Sequence, residues 1–99
     1  MQNVHKARIH WSDEQLRMGL PSSGRRTDPA WFTEPGPGSE EGWSLVCEFE
    51  PQSLSPGQPT IARVSFMVEN APHERLRAGT RLQLFEQATR RRVLVVILD

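Results

Sequence analysis

The sequence predicts an all-β fold, a single small antiparallel β-barrel of five or six short strands. Three observations lead there. Apolar and polar residues alternate with period two in several segments, the pattern of half-buried strands. Gly- and Pro-rich turn signals separate those segments. Helical patterning never extends much beyond about one turn. A chain of 99 residues has room for one domain, and closing the sheet removes edges that so small a chain could not cover otherwise.

Val4–Trp11 alternates, with Ala7, Ile9 and Trp11 on one face and Lys6, Arg8 and His10 on the other, and reads as a strand. Residues 12–20 have room for one helical turn, capped by Ser12 or Asp13 and stopped by Gly19 and Pro21. Ser22–Pro29 is dense in turn signals and reads as a loop, and Ala30–Thr33 as a short strand. Glu34–Gly42, rich in Pro, Gly and Glu, is expected to be a solvated, mobile loop.

Trp43–Glu50 alternates most cleanly. Trp43, Leu45, Cys47 and Phe49 share the face expected inside, while Ser44, Val46, Glu48 and Glu50 share the other. Leu54-Ser55-Pro56-Gly57 suits a type II turn, because Pro fixes φ and Gly accepts a positive one. In Thr60–Val68, the residues expected inside are Ala62, Val64, Phe66 and Val68. Asn70–Arg77 is polar and reads as a loop, followed by a turn at Gly79. Arg81–Glu86 points Leu82 and Leu84 inward, Gln87–Arg90 makes a tight connection, and Arg91–Leu98 is the last strand. Its apolar run from Val93 to Leu98 predicts burial on both faces.

Twelve basic and twelve acidic side chains cancel, so no bulk attraction to nucleic acid or membrane is expected. The charges are unevenly distributed. Residues 30–60 hold five Glu and no Lys or Arg, whereas residues 61–99 hold seven Arg against three Glu and one Asp. Folding therefore either interleaves the charges or leaves a two-sided surface. The single cysteine, Cys47, excludes an internal disulfide. The N-terminal residues contain no apolar run, and no segment is long enough to span a bilayer as a helix, so no signal peptide and a cytoplasmic setting are expected.

Chemistry-bearing constellations are sparse. His5, His10 and His73 lack the companions a metal site requires, so no metal or cofactor is expected. Cys47 lies on the apolar face of its strand and reads as a structural thiol. Glu48 and Glu50 share a strand face beside a Glu-rich loop and read as solvated rather than as an acid–base pair. No catalytic residues are assigned. Arg90, Arg91 and Arg92 form a short basic run that either binds an anion or keeps the end of an apolar strand soluble. Trp43 is assigned to the core. One of the adjacent pair Trp31 and Phe32 is expected at the surface, where an aromatic residue near arginines would make a contact point.

The order of several motifs resembles the C-terminal β-barrel of elongation factor Tu. Ser23-Gly24-Arg25-Arg26-Thr27 with Pro29 looks like that domain's Gly-Gly-Arg-(His/Lys)-Thr-Pro loop. Leu54-Ser55-Pro56-Gly57-Gln58 is similar to its Met-Pro-Gly-Asp/Glu turn, and residues 76–86, Leu-Arg-Ala-Gly-Thr-Arg-Leu-Gln-Leu-Phe-Glu, stand in the place of its Gly-Leu-Arg-Phe-Ala-Ile-Arg-Glu strand. Val95–Leu98 occupies the place of its last strand. The likeness covers about Lys6 to Leu98 and implies a six-stranded antiparallel barrel. It also implies that Arg25, Arg26 and Thr27 face RNA, since the family's loop faces the T-stem of aminoacyl-tRNA. The chain departs from the family in three ways. It has no Gly-x-x-x-x-Gly-Lys-Ser/Thr GTP-binding motif, it carries Trp31-Phe32 and the acidic loop in place of Tyr-Arg-Pro-Gln-Phe, and it has Gln87-Ala88-Thr89 in place of a second glycine pair.

Two functional readings follow. The first is a stand-alone, non-catalytic binding or accessory module that contacts another protein, or a second copy of itself, through residues 24–29 with Trp31 or Phe32. The second is an RNA-binding module, tRNA being the candidate ligand. It requires a continuous basic face uniting Arg25 and Arg26 with some of Arg75, Arg77 and Arg90–Arg92.

Overall fold

Each alternating segment pairs with two others, and the pairing closes on itself. The computed structural model describes residues 4–21, 23–50 and 58–99, so the turn read at Leu54–Gly57 lies outside the described residues. The strands are β1 (His5–Ile9), β2 (Arg25–Phe32), β3 (Trp43–Glu48), β4 (Thr60–Phe66), β5 (Arg81–Glu86) and β6 (Arg91–Ile97). They form one closed barrel in the order β1-β4-β3-β2-β5-β6, with β6 returning to β1. All six pairings are antiparallel, so the chain has the six-stranded antiparallel barrel expected of it.

Closure sends one residue in two to the axis. Ala7 and Ile9, Leu45 and Cys47, Val64, Leu82 and Leu84, Val95 and Ile97 are almost wholly buried. Small residues alternate with larger ones on the inner face: Ala7 stands beside Ala62 on the neighbouring strand, and Ala30 beside the larger Leu84. The result is a barrel filled by its own side chains.

The apolar run of β6 does not bury both faces. Val93, Val95 and Ile97 point inward, whereas Leu94 is exposed and Val96 half-buried on the outer wall. The wall is one sheet thick, with no second layer to cover it. Val68 is likewise exposed, because β4 ends at Phe66 and the chain turns before Val68 can continue the inner row. Trp43 is half-buried at the start of β3, packed against the core with its Nε1 donating to the Gly38 carbonyl at 2.8 Å, while Val46 on the outer row is buried.

The segment read as a loop at residues 22–29 is largely strand. From Arg25 onward it pairs with β3, from Arg25 opposite Glu48 to Ala30 opposite Trp43. Pro29 is tolerated because the ladder to β5 covers only Ala30–Phe32, leaving Pro29 beyond the last β5 partner. Gly24, at φ 70°, turns the chain into β2, and its carbonyl accepts from the Phe49 N–H at 2.8 Å.

Both ends are closed by connections. At one end the chain leaves β1 into a helix, α1 (Asp13–Met18), capped by Ser12, whose Oγ accepts from the Gln15 N–H. Leu16 and Leu20 pack on the core, and Trp11 and Phe49 meet edge to face with centroids 6.3 Å apart. Glu86 holds this end. It is fully buried at the end of β5 and accepts from the Ser12 N–H at 2.9 Å, the Ser12 hydroxyl at 2.5 Å and the Thr89 hydroxyl at 2.6 Å.

At the other end, the polar-looking segment 70–77 is a lid. Ala71, Pro72 and Leu76 are buried around a 3₁₀ turn at His73–Arg75. Arg75 lies 3.9 Å over the Phe32 ring and donates to the carbonyls of Pro37 and Glu34 at 2.8 and 3.1 Å. The acidic 34–42 loop is thereby tied to the lid. Gly38, at φ 79°, lies so close to Pro72 that a Cβ there would come within 2.9 Å of its ring.

Replacing Leu84, which is fully buried, with Ala removes buried methyl groups that cannot collapse inside a closed barrel. A loss of about 3 kcal/mol is expected, read as a lowered urea midpoint. Glu86→Gln turns an acceptor of three hydrogen bonds into a group that presents its own N–H to donors. It is expected to cost about 2 kcal/mol, whereas Glu40→Gln in the exposed loop after β2 should leave the midpoint within error.

Candidate binding surface

The interior is filled, so recognition falls to the wall and the rims. The residues predicted for binding divide there according to the strand period. On β2, Arg25, Thr27, Pro29 and Trp31 point outward, and Arg26, Asp28, Ala30 and Phe32 inward. Arg25 is exposed and Thr27 half-buried.

Arg26 does not join Arg25. It turns to the inner side, pairs with the buried Asp28 through an Nη2–Oδ1 hydrogen bond of 3.2 Å, and lies 5.2 Å over the Trp11 ring. Its side chain is only 12% exposed. Gln87 completes the arrangement by donating to Asp28 Oδ1 at 3.1 Å. Arg26 therefore serves as a structural counter-ion.

Neither member of the aromatic pair is openly exposed. Phe32 belongs to the core, edge to face with Phe66 at 5.8 Å, which corrects its assignment as a contact residue. Trp31 faces outward but is half-buried, with Arg92 5.1 Å over its ring. Gly42 also passes so close that a Cβ would meet the Trp31 ring at 2.5 Å.

The Arg90–Arg92 run divides in the same way. Arg90 occupies the hairpin turn with φ 60°. Arg91 bonds Glu14 at 2.9 Å, which raises its guanidinium pKa through that hydrogen bond and the carboxylate charge. Arg92 reaches Gln83. Arg75 sits beyond the far end of β2 from Arg25, about 20 Å away by strand rise, and is bound into the lid. The continuous basic face required of Arg25, Arg26, Arg75, Arg77 and Arg90–Arg92 is therefore not assembled.

A different set of cations is. Across four adjacent strands the outer row runs Lys6 on β1, Arg63 on β4, Glu48 on β3 and Arg25 on β2, each directly opposite the next. Arg8, two residues along β1, lies opposite Ile61. All are exposed, Ile61 by 48%. Among the described residues none of Lys6, Arg8, Arg25 and Arg63 forms an ion pair, and residues 1–3, 22 and 51–57 contain no Asp or Glu. A groove of about 520 Å3 follows this row, lined among others by Lys6, Gly24, Arg25, Glu48, Ile61 and Arg63. The alternation of β1 already placed Lys6 and Arg8 on one face. The register that adds Arg63 and Arg25 was not visible in the sequence.

The described residues hold no cluster of three or more His, Cys, Asp or Glu side chains suited to a metal ion. No helix among them is long and apolar enough to cross a membrane. Compared with protein-family models, curated proteins and solved structures, the chain has no match.

Cys47 is sealed inside. Burial pushes its thiol up to about 12, with the Asp28 charge adding to the rise and Arg26 opposing it. At neutral pH it is a thiol, not a thiolate nucleophile. In the unfolded chain it ionises near its ordinary value of 9.0. Its contribution to stability is therefore constant below about pH 9 and is lost as pH rises from about 9 to about 12, by up to about 1.4 kcal/mol per unit. The chain has no Tyr and only one Lys to mask this effect. Denaturant midpoints measured from pH 8 to 11 should fall for the native chain and fall less for Cys47→Ala. The thiol should react with a disulfide reagent at pH 8 only after unfolding.

Proposed function

We propose that this chain is a non-catalytic binding module for another protein, engaged on the outer wall formed by β1, β4, β3 and β2. The observation that carries this reading is the row Lys6–Arg63–Glu48–Arg25 beside the exposed Ile61. Like charges directly opposite on a sheet oppose folding, and Lys6 faces Arg63 with no carboxylate of the described chain paired to either. Arginines beside an aliphatic side chain in a groove have the composition of a protein interface. The buried free thiol fits a reducing, cytoplasmic setting.

Kinship with the C-terminal barrel of elongation factor Tu is part of the same proposal, supported by the order of the motifs and the barrel architecture. The alternative, RNA binding, draws on the same unpaired cations. It is the weaker reading because the aromatic side chains near them, Trp11 and Phe49, are buried and offer no open face on which bases could stack.

A photo-crosslinking side chain installed at Ile61 should yield a discrete protein adduct in cells. The same group at Met18, which is 60% exposed on α1, should not. Recovery of RNA instead of protein at Ile61, or identical adducts from both positions, would overturn the reading.

A further inference from the structure

We infer that the occupant of this wall is an acidic, extended polypeptide segment carrying an aliphatic residue for Ile61. The inference rests on the protein-binding reading above and specifies the partner's chemistry. Three features lead to it.

The first is charge. Lys6, Arg8, Arg25 and Arg63 gather four positive charges on one wall, against Glu48 in their row and Glu50 at the rim of the same groove. The four cations remain unpaired in a chain of zero net charge. Arg26 and Arg91 are neutralised by Asp28 and Glu14, whereas in this row three cations, Lys6, Arg63 and Arg25, stand around the single carboxylate of Glu48. The unmatched charges call for carboxylates from outside.

The second is spacing. Neighbouring strands lie about 4.8 Å apart, so Lys6 and Arg25, three strand steps from each other, are about 14 Å apart along the wall. An extended chain covers that distance in about four or five residues. Carboxylates on alternate residues of such a segment could meet Lys6, Arg63 and Arg25 in turn.

The third is selectivity. Glu48 stands in the middle of the row, opposite both Arg63 and Arg25. A phosphodiester backbone, charged at every step, is repelled there. A polypeptide can present an uncharged or basic residue at that point. Ile61, opposite Arg8 and 48% exposed, offers aliphatic contact that a phosphate chain cannot use.

The test is fluorescence anisotropy with a labelled twelve-residue peptide of Asp and Glu carrying one central leucine. A control peptide has serine at the centre, and bulk tRNA serves as competitor, across a salt series. The native chain should bind the leucine peptide saturably, more weakly as salt rises. Arg25→Gln/Arg63→Gln should weaken binding at least tenfold, while Arg77→Gln/Arg92→Gln, which removes equal charge away from the row, should change it less than twofold. Ile61→Ser should lower affinity for the leucine peptide about threefold or more and leave the serine peptide unaffected. Circular dichroism melts confirm that each variant folds, and the neutral Gln substitutions avoid setting new acids beside Glu48.

Equal losses in both double variants, or no preference for leucine over serine, would overturn the assignment. Tighter binding of tRNA through Arg25 and Arg63 would overturn it together with the protein-binding reading. Failure of the peptide to bind, with the Ile61 protein adduct retained, removes only the acidic partner. A concentration-dependent dimer abolished by Arg25→Gln/Arg63→Gln reassigns the wall to a second copy of the chain and equally removes it.

Discussion

The arrangement of this barrel depends on a carboxylate buried where apolar side chains would be expected. Glu86 is the last residue of β5, on the inner row that Leu82 and Leu84 begin. Its burial is tolerable because donors converge on it from two places: the backbone and hydroxyl of Ser12, and the hydroxyl of Thr89. The bond to Ser12 fixes where β1 stops and α1 starts, since the same hydroxyl caps the helix by accepting from the Gln15 N–H. The bond to Thr89 shapes the turn between β5 and β6. One side chain thus couples the two strands that flank β6 to the helix that closes the barrel's end. A fully bonded buried charge tolerates little displacement, because losing any one donor leaves it undersatisfied. Asp28, held by Arg26 and Gln87 nearby on β2, repeats the device where the β2–β5 ladder ends.

Closure has a second consequence. A filled barrel has no interior for a ligand, and its outer wall is built from the alternate residues of every strand. Adjacent outward positions on neighbouring strands form rows, and the register decides which sequence-distant residues share one. Lys6, Arg63, Glu48 and Arg25 come from four strands spread over most of the chain yet lie side by side. Zero net charge therefore does not mean an evenly neutral surface. The carboxylates that balance the total include Glu34, Glu40 and Glu41 in the loop after β2 and Glu69 and Glu74 around the lid, and the Arg75 hydrogen bonds join these two segments at the same end.

What could be read from the sequence was what local periodicity reports. The strands with clean alternation, β1, β3, β4 and β5, are legible with most of their inward residues, as is a helix cap at Ser12 or Asp13, of which the structure uses Ser12. β2 is not, because Gly24 and Pro29 carry loop chemistry and only tertiary context reveals that the missing Pro29 N–H falls outside the β5 ladder. The lid was missed because Ala71, Pro72 and Leu76 follow no regular period. They are buried by the barrel's mouth rather than by an element of their own. In β6 the continuous apolar run predicts two buried faces, whereas the architecture supplies only one. The candidate wall was half legible: Lys6 and Arg8 were placed on the outer face of β1, but pairing partners depend on register, which no single strand encodes.

The fate of the arginines decides which of them can meet a partner. Arg26 and Arg75 are each bound by hydrogen bonds and an aromatic face, and Arg91 by a carboxylate. To contact a ligand, Arg26 would have to abandon the buried Asp28, leaving a charge uncompensated in the interior. Engaging Arg75 would release the lid from the 34–42 loop. A motif that places two arginines side by side in sequence therefore does not supply two binding groups, because the strand period sends one of them inward. Arg25, the outward neighbour, keeps its guanidinium free of ion pairs among the described residues, as do Lys6, Arg8 and Arg63. A partner can neutralise these four cations without dismantling any part of the barrel, and the register gathers them on one wall.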